Sequence, residues 1–342
     1  MSGPDKPFFD EAKFRRALPF EVVPTAIPGV YDVPPPAPGF DPRTATAEEC
    51  RRAGIFWRRS VANRNPIARA LWESATARRY TPVDESVGPP PNLNLPHRRL
   101  RLPDEGGDDT TWAGPVVAAG NWTGVIASWV VPTLSKPPQP PTTNSAGFTG
   151  WWMSTWVGLD GYQPLGSNDI LQIGIYQNID TKGNASAWGW YEWWLANPPP
   201  NAPKYVNAQL LPSSFTVAPG NTLIACVAYI SNTAGSVTLL NQSNGNFYHK
   251  VLAPPPTADF NGTSAEWILE VPGAGEANYS LPAFTPLTFT AALACNCASD
   301  LSSATFADPT DATLINLETT SDVILTSTTA AQGTATISFV GS

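Results

Sequence analysis

The chain has 342 residues, with 20 Lys and Arg against 28 Asp and Glu for a formal net charge of −8, and that length can bury a substantial core in one large or two ordinary domains. Residues 1–105 hold 16 of the basic side chains and 13 acids, a balance of +3. Residues 106–342 keep only Lys136, Lys182, Lys204 and Lys250, no Arg and 15 acids, a balance of −11. A body this poor in bases cannot neutralise phosphates, which excludes nucleic acid as a partner and suits work in acid, where self-repulsion falls.

The charge shift divides the chain into a basic segment, 1–109, and an acidic domain, 110–342. In the first, a short helix is expected around Phe8 to Leu18, then an extended run ending in Pro34, Pro35 and Pro36. Thr46 with Glu49 three residues on forms a capping box for a helix to about Asn63, and Asn65-Pro66 caps a second helix through Ile67, Leu71 and Trp72. From Thr81 to Asp109 the chain is polar and proline-rich, an exposed linker open to proteolysis. Docked near neutral pH by its charge on the acidic domain, the basic segment would be released by acid. The first 30 residues carry charges and prolines in place of a continuous apolar run, so no signal peptide is visible. The uncharged stretch 110–135 is interrupted by Gly, Asn, Thr and Ser and alternates, which argues against a membrane helix.

Beyond Gly120 strands are expected nearly everywhere. Val125, Ala127, Trp129 and Val131 alternate with Ile126, Ser128 and Val130; further runs cover 223–230, 236–240, 247–252, 287–294 and 321–327, separated by turn clusters such as Ala218-Pro219-Gly220-Asn221. Many short strands without intervening helices mean an all-β sandwich or barrel. Of the four cysteines, Cys295 and Cys297 are too close for an unstrained mutual disulfide; Cys226 could pair with one of them, or the thiols, Cys50 included, could be buried and free.

The stretch from Trp156 to Trp194, with Ser264 to Glu270, carries the candidate chemistry. In I-L-Q-I-G-I-Y, Leu171, Ile173 and Ile175 point one way while Gln172, Gly174 and Tyr176 point the other. In S-A-E-W-I-L-E, Ala265, Trp267 and Leu269 share a face and leave Glu266 and Glu270 opposite, so Gln172 and Glu266 are both expected on the open side of a sheet. In G-W-Y-E-W-W, Trp188, Trp190, Glu192 and Trp194 take one face and Tyr191 and Trp193 the other; Trp188 and Trp194 fit a structural ladder. Asp160, in the Gly158 to Gly161 turn, is suited to holding a loop through side-chain to backbone bonds. His249, the acidic domain's single histidine, reads as a surface strand residue; it cannot make a two-histidine zinc site, and its neighbours offer no support for a Ser-His-Asp triad. No Asp-Thr-Gly or Asp-Ser-Gly occurs.

The series W-V-G-L-D-G, L-Q-x-G, W-Y-E-W and A-E-W-I-x-E resembles the glutamic peptidase family, the eqolisins, from roughly Gly120 to the C-terminus. The resemblance implies a jelly-roll, concanavalin A-like antiparallel β-sandwich preceded by a helical pro-segment that acts as an intramolecular inhibitor, and an acid-acting endopeptidase that is monomeric, extracellular and free of cofactor and metal. It makes Glu266 general base and then general acid, gives Gln172 the water and the tetrahedral intermediate, and puts Trp156, Asp160, Trp190 and Glu192 at the substrate groove, with protein or peptide as partner. A carboxylate near its ordinary pKa of about 4.3 would set an acid optimum. After Trp193 the chain continues W-L-A-N-P-P-P, where the family moves into a Tyr-Pro turn. Five N-x-S/T sequons, at Asn121, Asn184, Asn241, Asn261 and Asn278, are glycosylatable in a eukaryotic secretory pathway. Two rival readings use the same sandwich: a carbohydrate-binding module, which explains the 13 tryptophans without needing Glu266, and a glycoside hydrolase, for which Glu192 with Glu266 is the feasible carboxyl pair.

Overall fold

A computed structural model describes residues 9–34, 40–46, 49–50, 63–77, 81–84, 86, 108–144, 147–162, 165, 167, 169–230, 233–259, 261–272, 280–296, 304–319 and 321–341. Helix α1 spans Glu11–Ala17, with Asp10 accepting from the Lys13 amide as N-cap, and α2 spans Pro66–Thr76, capped by Asn65 through the amides of Ile67 and Ala68. The second start matches the sequence expectation, and the first helix lies within the expected 8–18 but begins at Glu11. The Thr46–Glu49 capping box also forms, with the Thr46 amide donating to Glu49 at 2.7 Å and the Glu49 amide to Thr46 Oγ1 at 3.2 Å; the body of that expected helix, 51–62, lies outside the described residues.

The strands, in chain order, are β1 (Val23–Pro24), β2 (Val30–Asp32), β3 (Thr81–Pro82), β4 (Asp108–Asp109), β5 (Trp112–Ala118), β6 (Gly124–Val130), β7 (Leu134–Ser135), β8 (Thr142–Thr143), β9 (Thr149–Asp160), β10 (Asp169–Asp180), β11 (Ala185–Leu195), β12 (Gln209–Leu210), β13 (Thr222–Ile230), β14 (Ala234–Asn241), β15 (Asn246–Leu252), β16 (Ser264–Glu270), β17 (Ala283–Phe284), β18 (Leu287–Asn296), β19 (Thr305–Ala307), β20 (Thr313–Leu317), β21 (Thr326–Ala331) and β22 (Thr334–Phe339). One sheet runs β12-β11-β10-β9-β16-β5-β20-β4, with β8 on β9. The second runs β1-β2-β15-β14-β13-β6-β18-β22-β21, with β3 on β15 and β19 on β18. Pairing is antiparallel except at β15/β3 and β20/β4. This is an antiparallel β-sandwich.

Period-two alternation decides which side chains fill the space between the sheets. Val125, Ala127, Trp129 and Val131 of the second sheet meet Leu171, Ile173, Ile175, Tyr191, Trp193, Ala265, Trp267 and Leu269 of the first in one core. Trp267 donates its indole N–H to the Ile126 carbonyl across that core at 3.0 Å, tying the two sheets together. The opposite faces carry separate clusters: Trp112, Val116, Trp152, Trp156, Tyr162, Ile170, Tyr176, Trp190, Ile268 and Ile315 on the first sheet, and Ile126, Ile224, Leu240 and Leu293 beneath α2 on the second. The β10–β11 hairpin is closed by Asp180, whose carboxylate accepts from the Lys182 and Asn184 amides, both at 2.8 Å, while Gly183 supplies a φ of 95°.

Two expectations change. The stretch 321–327 is a turn with Asp322 at φ 59°, and the strand begins only at Thr326. Its Ser and Asp side chains favour local turns, and two valine or isoleucine neighbours do not outweigh them. His249 is half-buried, with Nδ1 2.7 Å from Thr238 Oγ1 and its ring stacked on Phe247. Cys50 and Cys226 are free thiols, whereas Cys295 is disulfide-bonded. Among the described residues no helix is long and apolar enough to cross a membrane.

Candidate active site

The site lies on the face of the first sheet that points away from the sandwich core. Gln172 on β10 pairs in register with Glu192 on β11 and with Gly158 on β9, and Gly158 pairs in turn with Glu266 on β16. Four strands therefore present Glu192, Gln172, Gly158 and Glu266 in one row. Because Gly158 has no side chain, bare backbone separates Gln172 from Glu266, whose strands stand about 9–10 Å apart at the usual inter-strand spacing. A Cβ at Gly158 would lie 2.9 Å from Trp156 Cζ3 and 3.1 Å from Ile170 Cδ1, so the slot is walled by these two side chains.

Gln172 Nε2 donates to Glu192 Oε2 at 3.0 Å. This bond fixes the amide's orientation and uses one of its two N–H groups. Gln172 Oε1 and both Glu266 carboxylate oxygens are buried with no hydrogen-bond partner among the described residues. Three polar atoms on two side chains with unfilled bonding capacity thus border the slot, an arrangement that folding alone does not favour.

The expected open face is not open: Gln172, Glu192 and Glu266 are 4%, 6% and 0% exposed. They share this face of the sheet with the indole and phenol rings of Trp112, Trp156, Tyr162, Tyr176 and Trp190, and strand alternation alone does not predict that burial. The pKa of Glu266 is accordingly not at its ordinary value. Burial pushes it well up, the nearby Ser264 hydroxyl opposes the rise and the Asp160 carboxylate adds to it. Ionisation of Glu266 then goes with entry of water into the slot.

The row beside this one holds Trp190, Gly174, Trp156 and Ile268. Trp156 donates its indole N–H to Glu270 Oε2 at 2.9 Å and packs edge-on against Trp112 at 5.0 Å; Trp190 donates to Ser154 Oγ at 2.9 Å. Trp156, Trp190 and Glu192 therefore stand on the same face as Gln172 and Glu266. Asp160 turns inward instead. With φ 66°, its carboxylate accepts from Gly262 N, Thr263 N, Thr263 Oγ1 and Tyr229 Oη at 2.6–2.9 Å, the loop-holding part its turn position suggested. That loop leads directly into β16 and Glu266. Trp188 and Trp194 pack at the margin of the aromatic cluster.

Sequence reading missed the support beneath these residues. Glu270 is raised to about 8, chiefly by burial, with the Trp156 hydrogen bond opposing and the Glu192 and Asp109 charges adding. Asp169, fully buried between the Trp193 indole N–H (2.8 Å) and the Asp259 amide (3.1 Å), is raised to about 7 by burial, with Asp160 contributing. Glu270 lies four residues past Glu266 on one strand face, a signal available in the sequence; the burial of Asp169 has no such signal.

Comparison with known proteins bears on the family. The model of the Peptidase A4 family matches residues 110–339. Aspergillopepsin-2 of Aspergillus niger is 28% identical over 244 residues, 68% of this chain and 78% of that protein, and scytalidopepsin B of Scytalidium lignicola is 26% identical over 163 residues, 47% and 52% of the two. Among solved structures, scytalido-glutamic peptidase with a transition state analog inhibitor aligns at a TM-score of 0.49 and 20% identity, covering 68% of this chain and 99% of that one. Aspergilloglutamic peptidase from Aspergillus niger aligns at 0.43 and 29%, covering 56% and 99%. With the family's model matched over 110–339, about two thirds of its length, the chain belongs to the Peptidase A4 family and is a glutamic-type endopeptidase, a hydrolase of peptide bonds.

Proposed function

We propose that Glu266 and Gln172 form the catalytic dyad. The observation that carries this is the row Gln172–Gly158–Glu266, in which two side chains with free bonding capacity flank a strip of bare backbone. A peptide seated over Gly158 has Glu266 on one side and Gln172 on the other. Ionised Glu266 takes a proton from a water, which attacks the scissile carbonyl; the second Nε2–H of Gln172 stabilises the oxyanion, and Gln172 Oε1 orients the water. Protonated Glu266 then hands its proton to the leaving amine. Glu192 holds the Gln172 amide in the orientation this needs, and Trp156 and Trp190 line the groove for substrate side chains.

The enzyme is made as a zymogen with residues 1–109 as its pro-segment and 110–342 as its catalytic domain, and cutting the 81–109 stretch brings full activity. It works in acid, outside the cell and as a monomer, to which its base-poor body and five sequons are suited.

Cleavage of a denatured protein between pH 2 and 8, with pepstatin present, tests the dyad. Acid activity in the acid-treated wild type that disappears in both Glu266→Ala and Gln172→Ala is the expected result. Activity surviving in either folded variant removes that residue from the dyad.

A further inference from the structure

The described residues of the N-terminal segment up to Asp84 join the second sheet, on the far side of the sandwich from Gln172 and Glu266, while Asp108 and Asp109 pair with β20 in the first. β2 pairs antiparallel with β15 through Val30 and Tyr31, and the Ala253 amide donates to the Gly29 carbonyl at 2.8 Å. β3 pairs with the same strand near its start, where the Thr81 amide donates to the Gly245 carbonyl at 2.9 Å and the Val83 amide to the Phe247 carbonyl at 3.2 Å. The segment thus occupies what would otherwise be the bare edge of β15, an unpaired row of N–H and C=O groups.

Two apolar clusters reinforce the pairing. Phe14, Leu18, Phe20, Val22 and Tyr31 pack on Ile230, Ala234, Val251 and Ala253, and α2 lays Ala68, Leu71 and Trp72 on Ile126, Ile224, Leu240 and Leu293. Lys250 of the body, with its side chain only 4% exposed, is paired with Asp32 of the segment. Removing the segment would leave that ammonium buried without its carboxylate and put two apolar surfaces into water.

We infer that residues 10–82 are a standing part of the folded enzyme, which stays bound through β15 and α2 as a second chain after the polypeptide is cut between 83 and 107. The inference builds on the proposed processing, because it says what processing leaves in place. It also reverses the charge-release expectation: the described contact is apolar and strand-paired, and its ion pair has the cation on the acidic body and the carboxylate on the basic segment. Among the described contacts between segment and body the Asp32–Lys250 pair is the ionic one; His249, which burial and the neighbouring Lys250 keep neutral down to about 3, bonds Thr238 and stacks on Phe247 within the body. The strand bonds and both clusters do not titrate.

The test places a recognition sequence for a site-specific protease between residues 90 and 100 of the full chain, so that cutting does not depend on self-processing. After cutting at pH 7, half the sample is moved to pH 4, and both halves are gel-filtered and analysed by denaturing electrophoresis and mass spectrometry. Equimolar co-elution of the two fragments at both pH values is expected, whereas a second sample carrying Phe14→Asp and Leu71→Asp should lose its N-terminal fragment after the same cut. Elution of a folded C-terminal fragment alone from the wild type, at either pH, overturns the inference, as does full retention in the doubly substituted chain. A parallel wild type without the inserted sequence, incubated in acid, reports self-processing separately, so absence of self-cleavage counts against the zymogen reading and not against retention.

Discussion

Replacing Asp169 by Asn should change the pH dependence of stability more than its size. Asp169 is fully buried, and its pKa rises from 3.8 to about 7, mainly through burial. A carboxyl raised in this way holds its proton in the folded protein where the unfolded chain has released it. Its contribution is therefore fully present below about 3.8 and is lost as pH climbs through about 7. At about 1.36 kcal/mol for each pH unit between those values, the loss is about 4 kcal/mol. Asparagine cannot ionise and keeps one acceptor for the Trp193 indole or the Asp259 amide, so its second bond is lost at about 1–2 kcal/mol. Urea unfolding followed by tryptophan fluorescence should show Asp169→Asn less stable than wild type at pH 4 and more stable, by about 2–3 kcal/mol, at pH 7.5. Curves that run parallel from pH 4 to 7.5 would refute the assignment of this titration to Asp169.

Gly158→Ala puts a methyl 2.9 Å from the Trp156 ring between the two proposed catalytic side chains; a stability loss of about 1–3 kcal/mol and a fall of about tenfold or more in kcat/KM are expected, and unchanged kinetics in a folded variant would dismiss the slot. Asp160→Asn leaves one acceptor oxygen for the donors of the Gly262–Thr263 turn and Tyr229. A loss of about 2–3 kcal/mol in thermal or urea unfolding should appear, together with a lower kcat because the turn delivers β16. Trp156→Phe removes the indole donor to Glu270, a bond that favours the ionised carboxylate and opposes its rise to about 8. Its cost, about 1–3 kcal/mol, should be smaller at pH 4 than near pH 8, and a cost independent of pH would show that the bond does not act on ionised Glu270.

What the sequence revealed and what it withheld differ by range. Alternation is local, so the faces of 170–176, 188–194 and 264–270 could be assigned from side-chain type alone, and Leu171, Ile173, Trp193 and Trp267 do fill the core. The meeting of Gln172 with Glu266 is not local. It depends on β9 lying between β10 and β16, strands whose centres are about 100 residues apart, and only the family motifs hinted at that pairing. Burial was hidden for the same reason: a period of two says which way Glu266 points and nothing about the rings of Trp112, Trp156 and Tyr162 that share its face. The assumption of an ordinary carboxylate failed there, and its failure reshapes the expected pH window. If Glu266 must ionise in a slot that resists charge, the acid limb of activity lies above the pKa of a free Glu. The limb towards neutrality need not come from the dyad at all, because ionisation of Asp169 and then Glu270 weakens the fold over the range of about 4 to 8. One dry interior then sets both limits, the lower through chemistry and the upper through stability, and the two separate experimentally: Asp169→Asn should extend the upper limit while leaving the lower one where it is.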